Sequence, residues 1–157
     1  MQQKAKETFG ILINGFTIAI YFILLAVLDV PPAPKILPLV GLILLVTGIA
    51  FIILTIITLS RKHTDAVISS GVFALVRHPL YLGAIFLYLA MVCFLPHWLM
   101  LILAIVNILY IYWFMAIEEQ KNREKFGSEY AHYMQSVPRA NLFAGILRLL
   151  RNKRSEK

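Results

Sequence analysis

Arg77, His78 and Tyr81 lie within one short stretch, and the pair Glu118-Glu119 follows further along the chain. Together they offer a guanidinium, an imidazole, a phenol and two carboxylates. Pro79, between His78 and Tyr81, suits the first turn of a helix, where a missing N–H costs nothing. Such a helix start presents backbone donors and the positive end of the helix dipole, and so favours a carboxylate or a phosphate. Glu118 and Glu119 favour a cationic group. The set therefore suits a ligand that carries both signs of charge. Neighbouring helix residues differ in direction by about 100°, so at most one of the two glutamates points squarely at it. Plainer readings stand beside this one. Arg77-His78 also fits a membrane-surface anchor, and Glu118-Glu119 the solvated start of a charged helix. Tyr81, Tyr110, Tyr112 and Trp113 also fit interfacial aromatics. His63, His97 and His132 read as surface or interface residues. No zinc or iron–sulfur spacing occurs, and Cys93, being alone, reads as a small buried hydrophobe.

The elements that must position these residues are long apolar runs. Of the 157 residues, 60% are apolar and 15% charged, against about 45–50% and about 25% in soluble domains. Residues 9–28, 36–59 and 80–117 carry no charge. About 20 apolar residues cross a bilayer. As one helix the last run would extend about 57 Å, too long for a hydrocarbon core of about 30 Å, so Pro96-His97 marks a turn between two spans. The expectation is an all-α polytopic membrane protein with about four transmembrane helices, near 9–28, 36–59, 80–95 and 98–117. The alternative for the first run, a cleaved signal peptide, is disfavoured by its length and by the lack of a small-residue cleavage site. The net charge is +7. With the N-terminus inside, segments 1–8, 60–79 and 118–157 hold 14 of the 15 Lys and Arg, and the outside segments hold only Lys35. The positive-inside rule then puts both termini in the cytoplasm. The basic residues suit anionic lipid rather than nucleic acid.

A single domain of this length divides into scaffold helices (1–59), a core (60–139) and a basic tail (140–157). Asn14, Thr17, Thr47, Thr55 and Thr58 are scattered polar groups of the kind that bond within or between spans. Gly41 and Gly48 would allow close helix packing, and Pro31, Pro32 and Pro34 stiffen a connector. Segment 60–79 is polar but contains Val67-Ile68 and an apolar piece over 72–76, which either enter the membrane surface or wall a pocket. After Ile117 the fourth helix should run on into the cytoplasm as far as Gly127. A short helix over 128–135 follows, ended by Val137-Pro138-Arg139. Residues 142–151 then read as an amphipathic helix on the membrane.

One ordered set of motifs runs Gly71-Val-Phe-Ala-Leu-Val-Arg77-His78-Pro79-Leu-Tyr81-Leu-Gly83, a helical hairpin, Glu118-Glu119, Phe126-Gly127-Ser-Glu129-Tyr130-Ala-His-Tyr133 and Val137-Pro138-Arg139. Over about residues 65–139 it resembles the isoprenylcysteine carboxyl methyltransferase family and the related phospholipid methyltransferases. The resemblance implies S-adenosylmethionine as methyl donor, in a cytoplasmic-side pocket closed by the C-terminal segment, with a lipophilic acceptor arriving between the helices. It implies that His78, Pro79, Leu80 and Tyr81 line the cofactor site, and that Val67 and Ile68 add backbone and apolar contacts. Phe73, where relatives often carry Tyr, would pack on the adenine. Glu118 would bind the cofactor and Glu119 support it, with Arg77 beside them in the catalytic group. Trp113 and Phe114 would flank the acceptor. The prenylcysteine enzymes carry an Arg one turn before the Glu pair, and Phe114 stands there in this chain, so a carboxylate acceptor loses its expected partner unless Arg77 or Arg139 replaces it. No metal is expected, and the oligomeric state is left open. Two other readings remain: a sterol-reductase-like enzyme using a nicotinamide cofactor, and a membrane scaffold or transporter with Asn107 as its mid-membrane polar residue.

Overall fold

Uninterrupted runs of Leu, Ile, Val and Phe, broken only by proline, glycine and charge, fold into helices because no water is needed to satisfy their backbones. The computed structural model describes residues 15–27, 34–61 and 66–151 in full, and the backbone alone of residues 2–14 and 152–155. It comprises α1 (Gln2–Val27), α2 (Ile36–Ser60), a 3-10 turn (Gly71–Ala74), α3 (Pro79–Phe94), α4 (Trp98–Ser136) and α5 (Leu142–Ser155), with no strand among the described residues. The side chain of Asn14, and Pro31, Pro32 and His63, lie outside the described residues. α2 and α4 are each long and apolar enough to cross a membrane, and the apolar stretches 15–27 and 79–94 are shorter. The outward face of α2 is a continuous apolar surface, with Leu39, Ile43, Val46, Ile53 and Ile56 all exposed. A patch of that extent marks contact with lipid or protein rather than water.

α2 and α3 pack closely because glycines face each other. A β-carbon on Gly48 would come within 2.8 Å of the Gly83 carbonyl, and one on Gly83 within 2.8 Å of the Gly48 carbonyl. Seven residues from Gly48, Gly41 faces Cys93 and Phe94 in the same way. α3 ends where Leu95-Pro96-His97 turns the chain. His97 caps α4, its Nδ1 accepting the Leu99 N–H at 3.3 Å. The threonines of α2 bond back along their own helix, Thr55 to the Phe51 carbonyl at 2.6 Å and Thr58 to that of Leu54 at 2.7 Å. Asn107 is 2% exposed and binds α1: it donates to Thr17 Oγ1 at 3.1 Å and to the Leu103 carbonyl at 2.8 Å. Its polar atoms thus serve helix packing, which removes the residue that favoured a transport path.

α4 does not stop at the end of its apolar part. It runs on as a polar helix and breaks at Gly127, whose φ of +56° and ψ of −128° suit only glycine. The part beyond the break folds back, so Tyr130, Tyr133 and Val137 form a small core with Val67 and Phe126 partly buried against it. The main core lies between α3 and α4, on Ile85, Tyr88, Ala104, Ile111 and Met115.

Candidate functional site

Two backbone hydrogen bonds bring the ends of the site together. The Arg77 N–H donates to the Pro138 carbonyl at 2.9 Å and the His78 N–H to that of Arg139 at 3.1 Å. Pro79 then opens α3 and places Tyr81 within its first turn. Across from it, α4 presents one face at helical spacing: Glu118, Asn122, Lys125 and Phe126. Between them lies a cavity of about 350 Å³, within the range of about 300–1,000 Å³ usual for small-molecule sites.

The cavity gathers nine of the residues singled out by sequence: Val67, Ile68, Phe73, Arg77, His78, Pro79, Leu80, Tyr81 and Glu118. Val67 and Ile68 thereby wall a pocket. Glu118 Oε1 accepts a hydrogen bond from the Tyr81 hydroxyl at 2.8 Å, and its side chain is 35% exposed. His78 Nδ1 stands 3.8 Å from Glu118 Oε2, too far for a hydrogen bond.

Glu119 points the other way. It is 3% exposed and sits among cations. Arg77 Nη2 is 2.9 Å from its Oε1, Arg139 Nε donates to Oε1 at 3.0 Å, and Arg139 Nη2 closes a second bond to Oε2. His78 Nε2 lies 3.3 Å from Oε1. Burial alone would raise the Glu119 pKa, but the Arg139 hydrogen bonds and the nearby Arg77 charge outweigh it and hold the carboxylate below its ordinary value. Burial draws the His78 pKa down to about 4, against the pull of Glu119, so the ring is neutral at pH 7. Arg77 is further held by the Met134 carbonyl, which accepts from Nη1 at 2.7 Å. Arg77 and His78 are thus buried members of an ion cluster, which overturns their reading as a surface anchor. Beyond the cluster an open groove of about 660 Å³ is lined by Glu119, Arg139, Arg123 and Glu124, so the cluster partitions groove from cavity.

Phe114 and Trp113 do not line the cavity. Phe114 packs edge-on to Tyr81 with ring centroids 6.0 Å apart, while Trp113 is 51% exposed on the outer side of α4. Sequence reasoning gave several wall residues no part in a cofactor site: Thr55 and Leu59 from the end of α2, then Asn122, Lys125, Phe126, Tyr130 and Tyr133. Stepping four, seven and eight residues from Glu118 would have found Asn122, Lys125 and Phe126, whereas Tyr130 and Tyr133 reach the cavity only through the break at Gly127. Thr55 stands out only as a polar group within a span, and nothing marks Leu59. Tyr133 also fixes the opposite wall, its hydroxyl donating to the Phe73 carbonyl at 2.7 Å.

A family model described as phospholipid methyltransferase matches residues 36–129. No curated protein and no solved structure matches the chain. The family match covers more than half of the chain and runs from the start of α2, through the Arg77–Tyr81 segment and both glutamates, to just past the break at Gly127, so the chain belongs to the phospholipid methyltransferase family.

Proposed function

We propose that the chain is a membrane enzyme that moves the methyl group of S-adenosylmethionine to a lipophilic acceptor reaching it from the bilayer. The observation that carries this reading is the cavity itself, where the Arg77–Tyr81 segment meets Glu118 through the Tyr81 hydrogen bond. In this reading four helices cross the bilayer, both termini lie in the cytoplasm, and the cavity opens at that side.

The donor set fits the cofactor. Glu118 offers a carboxylate to a ribose diol or an ammonium. Phe73, Phe126, Tyr130 and Tyr133 offer aromatic surface to an adenine. When bound, S-adenosylmethionine supplies a sulfonium methyl for in-line displacement by the acceptor. The positive charge on sulfur is lost in that displacement, so a carboxylate gripping sulfur would stabilise the ground state. Glu118, tied to Tyr81, serves instead to hold the remote parts in line. Burial keeps His78 neutral, and its contact with Glu119 in the neighbouring cluster orients it. Alignment and exclusion of water are what the protein contributes.

Arg77 and Arg139 are both committed to Glu119, and Phe114 faces Tyr81 where a cation would be needed. A free carboxylate is therefore poorly served as acceptor, which supports a lipid amine or another headgroup over a prenylcysteine carboxylate. The test is calorimetric titration of the detergent-purified protein with S-adenosylhomocysteine, with NADPH as control. Saturable binding of the first alone is expected, and binding of NADPH alone would replace this reading with a reductase.

A further inference from the structure

α5 is fixed by its inner side. Gly145 lies so close to the Leu75 carbonyl that a β-carbon there would overlap it. Arg148 donates to two carbonyls in separate segments, Ala74 in the 3-10 turn and Ser136 at the end of α4. Each segment carries a wall of the cavity, Phe73 in the first and Tyr133 in the second. α5 thus straps together two walls that otherwise meet through the Tyr133–Phe73 hydrogen bond.

The other side of α5 is bare and apolar. Phe143 is 73% exposed, and Ile146, Leu147 and Leu150 are exposed with it. Their spacing forms one stripe along the helix. Leu75, against which α5 packs, precedes the first residue of α3 by four positions. α5 therefore sits where the apolar helices give way to the polar extension of α4. From residue 142 onward the sequence carries Arg148, Arg151, Lys153, Arg154 and Lys157 against one acid, Glu156. An apolar stripe with a basic flank, at the edge of an apolar bundle, fits an anionic bilayer surface.

We propose that α5 docks on the anionic-lipid surface of the bilayer, and that this docking steadies the 3-10 turn and the end of α4 around the cavity, so that ligand affinity there depends on lipid charge. The affinity arm rests on the methyl-donor reading of the cavity; the docking arm does not. In a Cys93→Ser background, Leu147→Cys carrying bimane is reconstituted in phosphatidylcholine vesicles with and without phosphatidylglycerol. Lipids bearing a shallow nitroxide are expected to quench the bimane, more strongly with phosphatidylglycerol present, while aqueous iodide does not. Quenching by iodide alone overturns the docking, as does a disulfide between two copies of the unlabelled Leu147→Cys protein when the labelled protein shows no nitroxide quenching. In parallel, wild-type protein is titrated with S-adenosylhomocysteine in both lipids. Several-fold tighter binding with phosphatidylglycerol is expected, and Arg148→Ala should abolish that difference while leaving nitroxide quenching intact. Equal affinity in both lipids overturns the coupling. Absence of binding in either overturns the methyl-donor reading, with docking still decided by the quenching.

Discussion

Glu118 and Glu119 are adjacent and identical in kind, yet one helical step of about 100° sends the first to a cavity and the second into a cluster of cations. Their substitutions should separate cleanly. Glu118→Gln leaves the cluster intact and is expected to keep the thermal midpoint while weakening S-adenosylhomocysteine binding roughly 10- to 100-fold, the loss of a charge-assisted hydrogen bond of about 1.5–3 kcal/mol. Glu119→Gln leaves Arg77 buried without its counter-charge, and breaking such a pair costs about 3–5 kcal/mol, so the midpoint in detergent should fall sharply. Equal midpoints for the two variants would refute the division. His78 adds a pH signature. Its folded pKa is about 4 against an ordinary 6.5. Between those values the unfolded chain holds the extra proton, so the contribution of His78 is complete above pH 6.5 and is lost as pH falls towards 4. Glu119, held below its ordinary 4.5, loses its contribution only at more acid pH. Thermal midpoints measured across that range should therefore decline between pH 6.5 and 4 in the wild type and stay flatter in His78→Asn. The motif residues around Glu118 were legible because charge beside apolar runs is conspicuous. The role of Glu119 was not, because Arg139 reaches it only through the backbone pairing of residues 77–78 with 138–139, which no local pattern announces.

At the level of elements, proline and charge made α2, α3 and the start of α4 readable to within about a residue, since both limit where a helix can begin. What escaped was the contribution of α2 to the cavity. Thr55 and Leu59 look like any other span residues, and only the close glycine contact of α2 with α3 brings them to the site. Gly83→Ala tests that contact. Its new β-carbon would meet the Gly48 carbonyl at 2.8 Å and the Ile52 side chain at 2.8 Å. Overpacking of this kind costs about 1–3 kcal/mol, and separating α2 from α3 should lower ligand affinity as well as stability. Gly127→Ala provides the contrast. Nothing lies within 4 Å of a β-carbon there, but φ is +56°. The expected cost, about 1–3 kcal/mol, is backbone strain alone. It should show as a changed approach of Tyr130 and Tyr133 to the cavity, read as weaker S-adenosylhomocysteine binding, with the α2–α3 packing undisturbed.

For the whole molecule, charge and hydropathy act together. Fourteen of the fifteen Lys and Arg fall in segments that the four-span topology places on one side, and Lys35 stands alone on the other. The ion cluster, the cavity and α5 all lie toward the basic side, which in the proposed reading is the side the methyl donor would reach. α3, with 16 residues, extends about 24 Å as a helix, short of a hydrocarbon core of about 30 Å. In the four-span reading its crossing would rely on the turn at 95–97 and on packing against α2 rather than on its own length. The topology is tested by impermeant maleimide in a Cys93→Ser background. Lys35→Cys is expected to react in intact cells, and Glu124→Cys only after lysis. The reverse pattern would put the cavity on the outer face, beyond reach of the cytosolic donor. Reaction of both positions in intact cells would mean that an even number of helices crosses between 35 and 124, and the short α3 would be the segment that fails to cross.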